Sequence, residues 1–162
     1  SCGANRPQTE DPIFRCPDPV RQQTRRNLLP QLQIDLQDIQ TAPDLLRFIM
    51  TGLHRWIQTG RDDYKPTRRC FCTLALSQSA IGWAQIWRGR ISLEFASHQE
   101  KFFRRNHADS TKCTGPLWAK KFIVRLWDFF KILWKNRNDA LHPDDPAAAA
   151  RLHLAALRTR VH

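Results

Sequence analysis

The chain has 162 residues, of which 41% are hydrophobic, including six tryptophans and nine phenylalanines. This length suits one globular domain, and the many large apolar side chains exclude a disordered chain. With 26 lysines and arginines against 15 acids, the net charge is +11, which favours a polyanionic partner, nucleic acid first. No apolar run approaches the length needed to cross a bilayer, so no membrane partner is expected.

Residues 1–18 contain prolines, two cysteines and no sustained periodicity, so they are predicted as an irregular lead-in to a single helical domain over residues 19–162. The N-terminal residues lack the apolar core of a secretory signal, and five cysteines at irregular spacing are typical of reduced thiols. We therefore expect an intracellular protein, cytoplasmic or nuclear. The start at Ser1 predicts a fragment of a longer chain, and the oligomeric state stays open.

Helical spacing of apolar residues begins at Pro19 and continues to about Gln40, where Pro30 predicts either two helical pieces or one bent helix. The next helix is the best bounded, with Thr41 as its expected N-cap and Gly60 just beyond its end. A polar, basic stretch over 61–73 predicts a loop between two halves of the domain.

A shorter helix is predicted over residues 74–88, ended by Gly89, although Gly82 weakens it. Ser92 is the expected cap of a further helix that runs to about Asn106 and is followed by a loop containing Cys113. The longest periodic segment runs from Pro116 to about Leu141, and an Ala-rich helix is predicted from Asp144 or Asp145 to about Arg160. These elements predict an all-α fold, a bundle of about five or six helices with one long central amphipathic helix.

On a helical wheel the segment from Pro116 to Leu141 is half apolar and half charged. The apolar half contains ten large side chains: Trp118, Phe122, Ile123, Leu126, Trp127, Phe129, Phe130, Leu133, Trp134 and Leu141. The other half, with the two arginines before the helix, supplies the candidate nucleic-acid-binding residues: Arg104, Arg105, Lys120, Lys121, Arg125, Lys131 and Lys135. The alternative interpretation is a solvated charged face without a ligand.

Arg137 falls in the middle of the apolar half, where a guanidinium is costly unless it is paired. One interpretation is a buried arginine that ties the helix end to a neighbour such as Glu94. The other takes the string Arg137-Asn138-Asp139-Ala140-Leu141-His142, which resembles the R-N-x-x-x-H signature of the HEPN-type superfamily of small helical bundles. That resemblance implies a metal-independent ribonuclease in which His142 is the base, Arg137 stabilises the phosphate charge and Asn138 orients the pair.

The cysteines do not predict a metal site. Cys70 and Cys72 are spaced too tightly for a structural zinc pair, and no second pair lies near them in the sequence. No phosphate-binding glycine loop, nucleophile motif or pair of catalytic carboxylates is apparent, so no cofactor is expected.

Three stretches resemble the region that follows the polymerase in reverse-transcriptase polyproteins of non-LTR-type retroelements and in proteins derived from them. They are Cys2-Gly3 with Arg15-Cys16-Pro17; Ala80-Ile81-Gly82-Trp83 with Arg88-Gly89-Arg90-Ile91-Ser92; and Leu126-Trp127 with Trp134-Lys135-Asn136-Arg137-Asn138 and Leu141-His142. The first is similar to the end of a zinc knuckle, but Pro12 stands where the family has histidine, so it predicts a degenerate remnant without metal. The resemblance implies association with element RNA or DNA and no catalytic residues.

Three functional hypotheses follow. The first is a non-catalytic basic helical module of a retroelement-derived protein that binds nucleic acid nonspecifically or packs against other segments of a parent polyprotein. The second is the HEPN-type ribonuclease, with Arg137, Asn138 and His142 as its site. The third is a helical bundle for protein interaction whose charge is incidental.

Overall fold

The computed structural model describes residues 14–16, 18–66, 68–106 and 113–141, without the side chains of residues 140 and 141. The described part is all-α, as the sequence predicts, and none of it forms a strand. Its helices are α1 Pro19–Asp38, α2 Pro43–Thr59, α3 Cys72–Ile81, α4 Leu93–Asn106 and α5 Gly115–Leu141, with 3-10 helices over Arg69–Phe71 and Trp83–Arg88. The predicted Ala-rich helix lies outside the described residues. Within these ranges, no helix is both long and apolar enough to cross a membrane.

Helix α1 is continuous through Pro30, which resolves the choice between two pieces and one helix. The Asp18 side chain caps the helix by accepting the Arg21 backbone N–H at 3.0 Å, and Pro19 has the fixed φ that suits a first turn. Pro30 lies on the exposed side, where the carbonyl that loses its partner can bond to water. A proline in this position therefore does not end the helix.

The N-cap of α2 is Ala42, one residue beyond the predicted Thr41. Thr41 is buried and bonds differently: its hydroxyl donates to the Leu36 carbonyl and accepts the indole N–H of Trp118 at 2.9 Å. The hydroxyl therefore joins the turn between α1 and α2 to α5 instead of capping a helix. The other end of α2 is as predicted, because Gly60 adopts φ 67° and ends the helix.

The predicted loop over 61–73 and the predicted helix over 74–88 both differ from the structure. Regular structure returns at Arg69, and α3 begins at Cys72, so the loop is shorter. The helix is broken at Gly82, where φ is 96°, and a separate 3-10 helix follows, with Asp62 accepting the Trp83 backbone N–H at 2.6 Å. A glycine reaches this φ at little cost, so the break falls there.

The core forms where α5 packs against α1, α4 and the 3-10 helix Trp83–Arg88. The prediction of a central amphipathic helix is confirmed by five buried side chains of α5: Trp118, Phe122, Leu126, Phe129 and Leu133. Ile123, Phe130 and Trp134 are partly buried beside them, and the Leu141 side chain is not described. The buried half of α5 therefore leaves its charged half facing outward.

Phe14 and Cys16 belong to this core, although the sequence assigns them to the irregular lead-in. The Phe14 ring stacks on Trp87 with centroids 4.0 Å apart. The Cys16 carbonyl accepts an N–H from the buried Arg25 at 2.7 Å, and burial, followed by the charges of Arg21 and Arg26, lowers the pKa of Arg25. Residues 1–13 and 17 of the lead-in lie outside the described residues.

Cys16 is disulfide-bonded, so the expectation of reduced thiols is wrong at this position. Sequence spacing does not reveal which thiols the fold brings within bonding distance. Cys70, Cys72 and Cys113 are free thiols, as expected. Since disulfides are typical of oxidising compartments, the cysteines no longer support the intracellular location, which remains a prediction from the sequence.

Two fully buried glutamines bridge turns through both ends of their amides. Gln99 of α4 accepts the Ala42 N–H and donates to the Gln40 carbonyl, each at 2.8 Å. Gln78 of α3 donates to the Gly82 carbonyl at 3.1 Å and accepts the Ser92 N–H at 2.9 Å. Each amide satisfies backbone groups that a turn leaves without a helical partner.

Replacing Gln99 with methionine is expected to lower the free energy of unfolding by about 1–3 kcal/mol, because the buried Ala42 N–H loses its acceptor while the side-chain volume is retained. Gln58→Met, at an exposed position of α2, is the matched control and should change stability by less than about 0.5 kcal/mol. Urea denaturation of both variants measures the difference. Equal stabilities would show that the Gln99 bridge contributes nothing.

Candidate nucleic-acid interface

The predicted basic residues of α5 all lie on its outward surface. Lys120, Lys121, Arg125, Lys131 and Lys135 are exposed because the helix buries its other half against α1, α4 and the 3-10 helix Trp83–Arg88. We call the surface that carries these five cations the α5 outer face. It is the longest basic surface that a single described helix presents.

Two of the five cations are neutralised within the helix. The Lys131 ammonium lies 3.2 Å from the Asp128 carboxylate, and the Lys135 ammonium lies 2.9 Å from the Asp139 carboxylate. Such exposed pairs, three or four residues apart, add little stability, but they reduce the charge offered to a ligand. The second half of the α5 outer face is therefore less positive than its lysines suggest.

The other three cations have no such neutralisation. Lys120, Lys121 and Arg125 form no ion pair with any residue in the described part of the chain. They lie within about one and a half turns near the start of the helix. The unpaired positive charge is therefore concentrated in the first half of the α5 outer face.

Arg104 and Arg105 lie at the end of α4 and are not on the α5 outer face. Arg104 donates to the Glu100 carboxylate at 3.1 Å, while the other oxygen of that carboxylate accepts the Gly115 backbone N–H. The Gly115 bond, followed by that of Arg104, lowers the pKa of Glu100. Glu100 therefore joins the two helices, and Arg104 is partly neutralised there, while Arg105 is exposed without an ion pair among the described residues.

The outer face also carries apolar side chains. Leu117, Val124 and Ile132 are exposed, and so is Trp127, which was predicted to be in the core. Trp127 lies at the border between the two halves of the wheel, and the turn at Gly89 lies against one edge of its ring. The sequence shows that Trp127 lies at the border of the apolar half, near Lys131. It does not show that the turn at Gly89 contacts the ring.

Arg137 is partly exposed and lies over a ring instead of being buried in an ion pair. Its guanidinium carbon is 5.5 Å from the centroid of Trp134, and no described carboxylate pairs with it. Glu94 is itself exposed, so the predicted buried tie between these two residues is wrong. The long side chain reaches the surface across the indole, which removes the cost of burying its charge.

The HEPN-like string is only partly described. Asn138 is partly exposed next to Arg137, whereas His142 lies outside the described residues. Whether the imidazole meets the guanidinium is therefore untested, and the ribonuclease remains a prediction from the sequence.

The described residues hold no group of three or more histidines, cysteines and carboxylates that could bind a metal ion. Cys70 and Cys72 are both exposed, with the buried Phe71 between them. Their thiols flank a core side chain at the start of α3.

No protein-family model, curated protein or solved structure that was compared with the chain matches it. The resemblance to retroelement polyproteins therefore rests on its sequence motifs alone.

Proposed function

We propose that this protein is a non-catalytic helical module that binds nucleic acid nonspecifically through the α5 outer face. The observation that carries the proposal is the group of exposed cations Lys120, Lys121 and Arg125 on one helix, which form no ion pair within the described part of the chain. The net charge of +11 adds a long-range attraction for any polyanion. On the sequence motifs, the module belongs to a retroelement-derived protein, and its ligand is the RNA or DNA of the element.

The spacing of the three cations suits a phosphate backbone. From Lys120 to Arg125 the helix rises about 7.5 Å, at roughly 1.5 Å per residue. Lys120 and Arg125 leave the helix about 140° apart, with Lys121 between them, and their long side chains let all three reach phosphates of one strand. Phosphate contacts read no base, which is the pattern of sequence-independent binding.

The proposal is tested by measuring the affinity of the chain for a single-stranded RNA and for a DNA duplex at several salt concentrations. Each phosphate contact releases condensed counterions, so log K should fall linearly with log salt, with a slope of about −2 or steeper. Sequence changes in the ligand should alter the affinity little. Absence of binding at about 50 mM salt, or binding that does not depend on salt, would contradict the proposal and favour packing against another protein segment.

A further inference from the structure

Trp127 differs from every other tryptophan of the chain. Trp56, Trp83, Trp87, Trp118 and Trp134 each lie within 6.5 Å of another aromatic ring, centroid to centroid, and all but Trp134 are buried. Trp127 is 46% exposed and makes no ring contact and no cation–π contact with any described residue. Its aromatic surface is therefore available to a ligand.

The exposed ring of Trp127 packs at one edge against the backbone of a turn. A Cβ atom added to Gly89 would lie 3.3 Å from Cζ2 of Trp127 and 3.0 Å from Ile123, so the glycine backbone lies directly against the ring edge. Gly89 adopts φ 76°, which only glycine reaches cheaply, and this brings the turn close. The indole is thus held at its Cζ2–Cε2 edge while 46% of the side chain stays exposed, which limits the freedom it would lose on binding a flat ligand.

Cationic side chains lie near this ring, although the ammonium of one of them, Lys131, also pairs with Asp128. Lys131 follows Trp127 by one helical turn, and Lys120 precedes it by seven residues on the same side of α5. The exposed Arg90 lies one residue beyond Gly89 in the turn that contacts the indole. An exposed aromatic ring beside cations that can hold a backbone is the arrangement by which proteins bind single-stranded nucleic acids.

A second indole lies on nearly the same side of α5 as Trp127. Trp134 follows Trp127 by seven residues, or about 10.5 Å along the helix, which places the two rings on nearly the same side with Lys131 between them. The guanidinium of Arg137 already lies over Trp134 at 5.5 Å. The contact between Arg137 and Trp134 shows that a planar group can lie over an indole on this side of α5. Trp127 has no such partner among the described residues.

We infer that Trp127 is a stacking platform for an unpaired base, and that the α5 outer face therefore prefers single-stranded nucleic acid to duplex. This inference rests on the proposed function, to which it adds the class of ligand. In a duplex the faces of the bases are already stacked on their neighbours, so only a single strand can offer a base to the indole without the cost of unstacking. The nearby cations would hold the phosphates on either side of the stacked base.

The test compares Trp127→Ala with Trp127→Phe, using a 12-nucleotide oligouridylate and a 12-base-pair duplex as probes. We expect Trp127→Ala to weaken binding of the oligouridylate about 5- to 100-fold, while its salt slope and the duplex affinity stay unchanged, because stacking releases no counterions. Trp127→Phe should retain most of the affinity. Ile132→Ala is the matched control, since Ile132 is 45% exposed on the opposite border of the outer face and should have no effect.

The inference is overturned if Trp127→Ala leaves oligouridylate binding unchanged, weakens both probes alike, or has no larger effect than Ile132→Ala. Thermal unfolding of each variant checks that the fold is intact, as expected for an exposed side chain. Salt-dependent binding of the duplex together with an unaffected single strand removes this inference alone. Absence of binding to either probe by the unsubstituted chain removes the proposed function with it.

Discussion

Replacing Gly52 with valine is expected to lower the free energy of unfolding by about 3 kcal/mol or more, because α2 passes directly over the indole of Trp83 at this residue. A Cβ atom built on Gly52 would lie 2.0 Å from Cη2 of that ring, far inside contact distance. The ring cannot move aside easily, since it is fully buried and packed against Phe48 and Tyr64. Gly52→Ala should cost less, about 1–3 kcal/mol, partly offset by the better helix propensity of alanine.

The control for this prediction is Gln58→Val, which places the same β-branched residue at an exposed position of the same helix and should cost about 0.5 kcal/mol. Chemical denaturation gives both values. A double variant with Trp83→Leu should show less than additive loss, since the smaller side chain makes room for the added methyl groups. If Gly52→Val costs no more than Gln58→Val, the close packing of α2 on Trp83 is wrong.

The sequence predicts well where one strong periodic pattern acts alone. The segment from Pro116 to Leu141 reads as a long helix with one apolar half, and α5 has those bounds within one residue because no other signal competes there. Prediction fails where a residue has two possible roles. Thr41 has the side chain of an N-cap, yet its hydroxyl is better used between Leu36 and Trp118, a contact that no local pattern reveals.

The candidate interface also has some features that the sequence predicts and others that it does not. The exposure of its lysines follows from the wheel, and the pairing of Lys131 with Asp128 and of Lys135 with Asp139 could have been predicted from their spacing along the helix. The partial exposure of Trp127 could not, because it depends on how a turn 38 residues earlier in the sequence lies against the ring. The wheel assigns Arg137 to the apolar half for a similar reason: it gives a direction to the Cα atom and ignores the reach of a long side chain.

The second large effect is expected from neutralising the unpaired cations together, as Lys120→Gln, Lys121→Gln and Arg125→Gln in one variant. Each lost phosphate contact should reduce the magnitude of the salt slope by about 0.7 for a single strand and about 0.9 for a duplex, so the triple variant should lose about 2 to 3. At 0.1 M salt, relative to 1 M, this corresponds to a loss of affinity on the order of 100- to 1000-fold. Since the three side chains are exposed and form no ion pair with any described residue, the stability of the fold should change little.

A matched control distinguishes binding at the α5 outer face from attraction by the total charge of the protein. Arg47→Gln, Arg61→Gln and Lys65→Gln also remove three exposed cations without an ion pair among the described residues, from α2 and the loop after it. Both triple variants lower the net charge equally, but only the first removes cations from the α5 outer face. Attraction that depends on net charge alone would weaken binding alike in the two variants.

The salt slope of nucleic-acid binding, measured side by side for the unsubstituted chain and the two triple variants, tests the account most directly. The account predicts a slope about 2 to 3 units shallower for the α5 variant and a nearly unchanged slope for the control. Equal slopes in the two variants, or an effect confined to the control, would contradict binding through the α5 outer face.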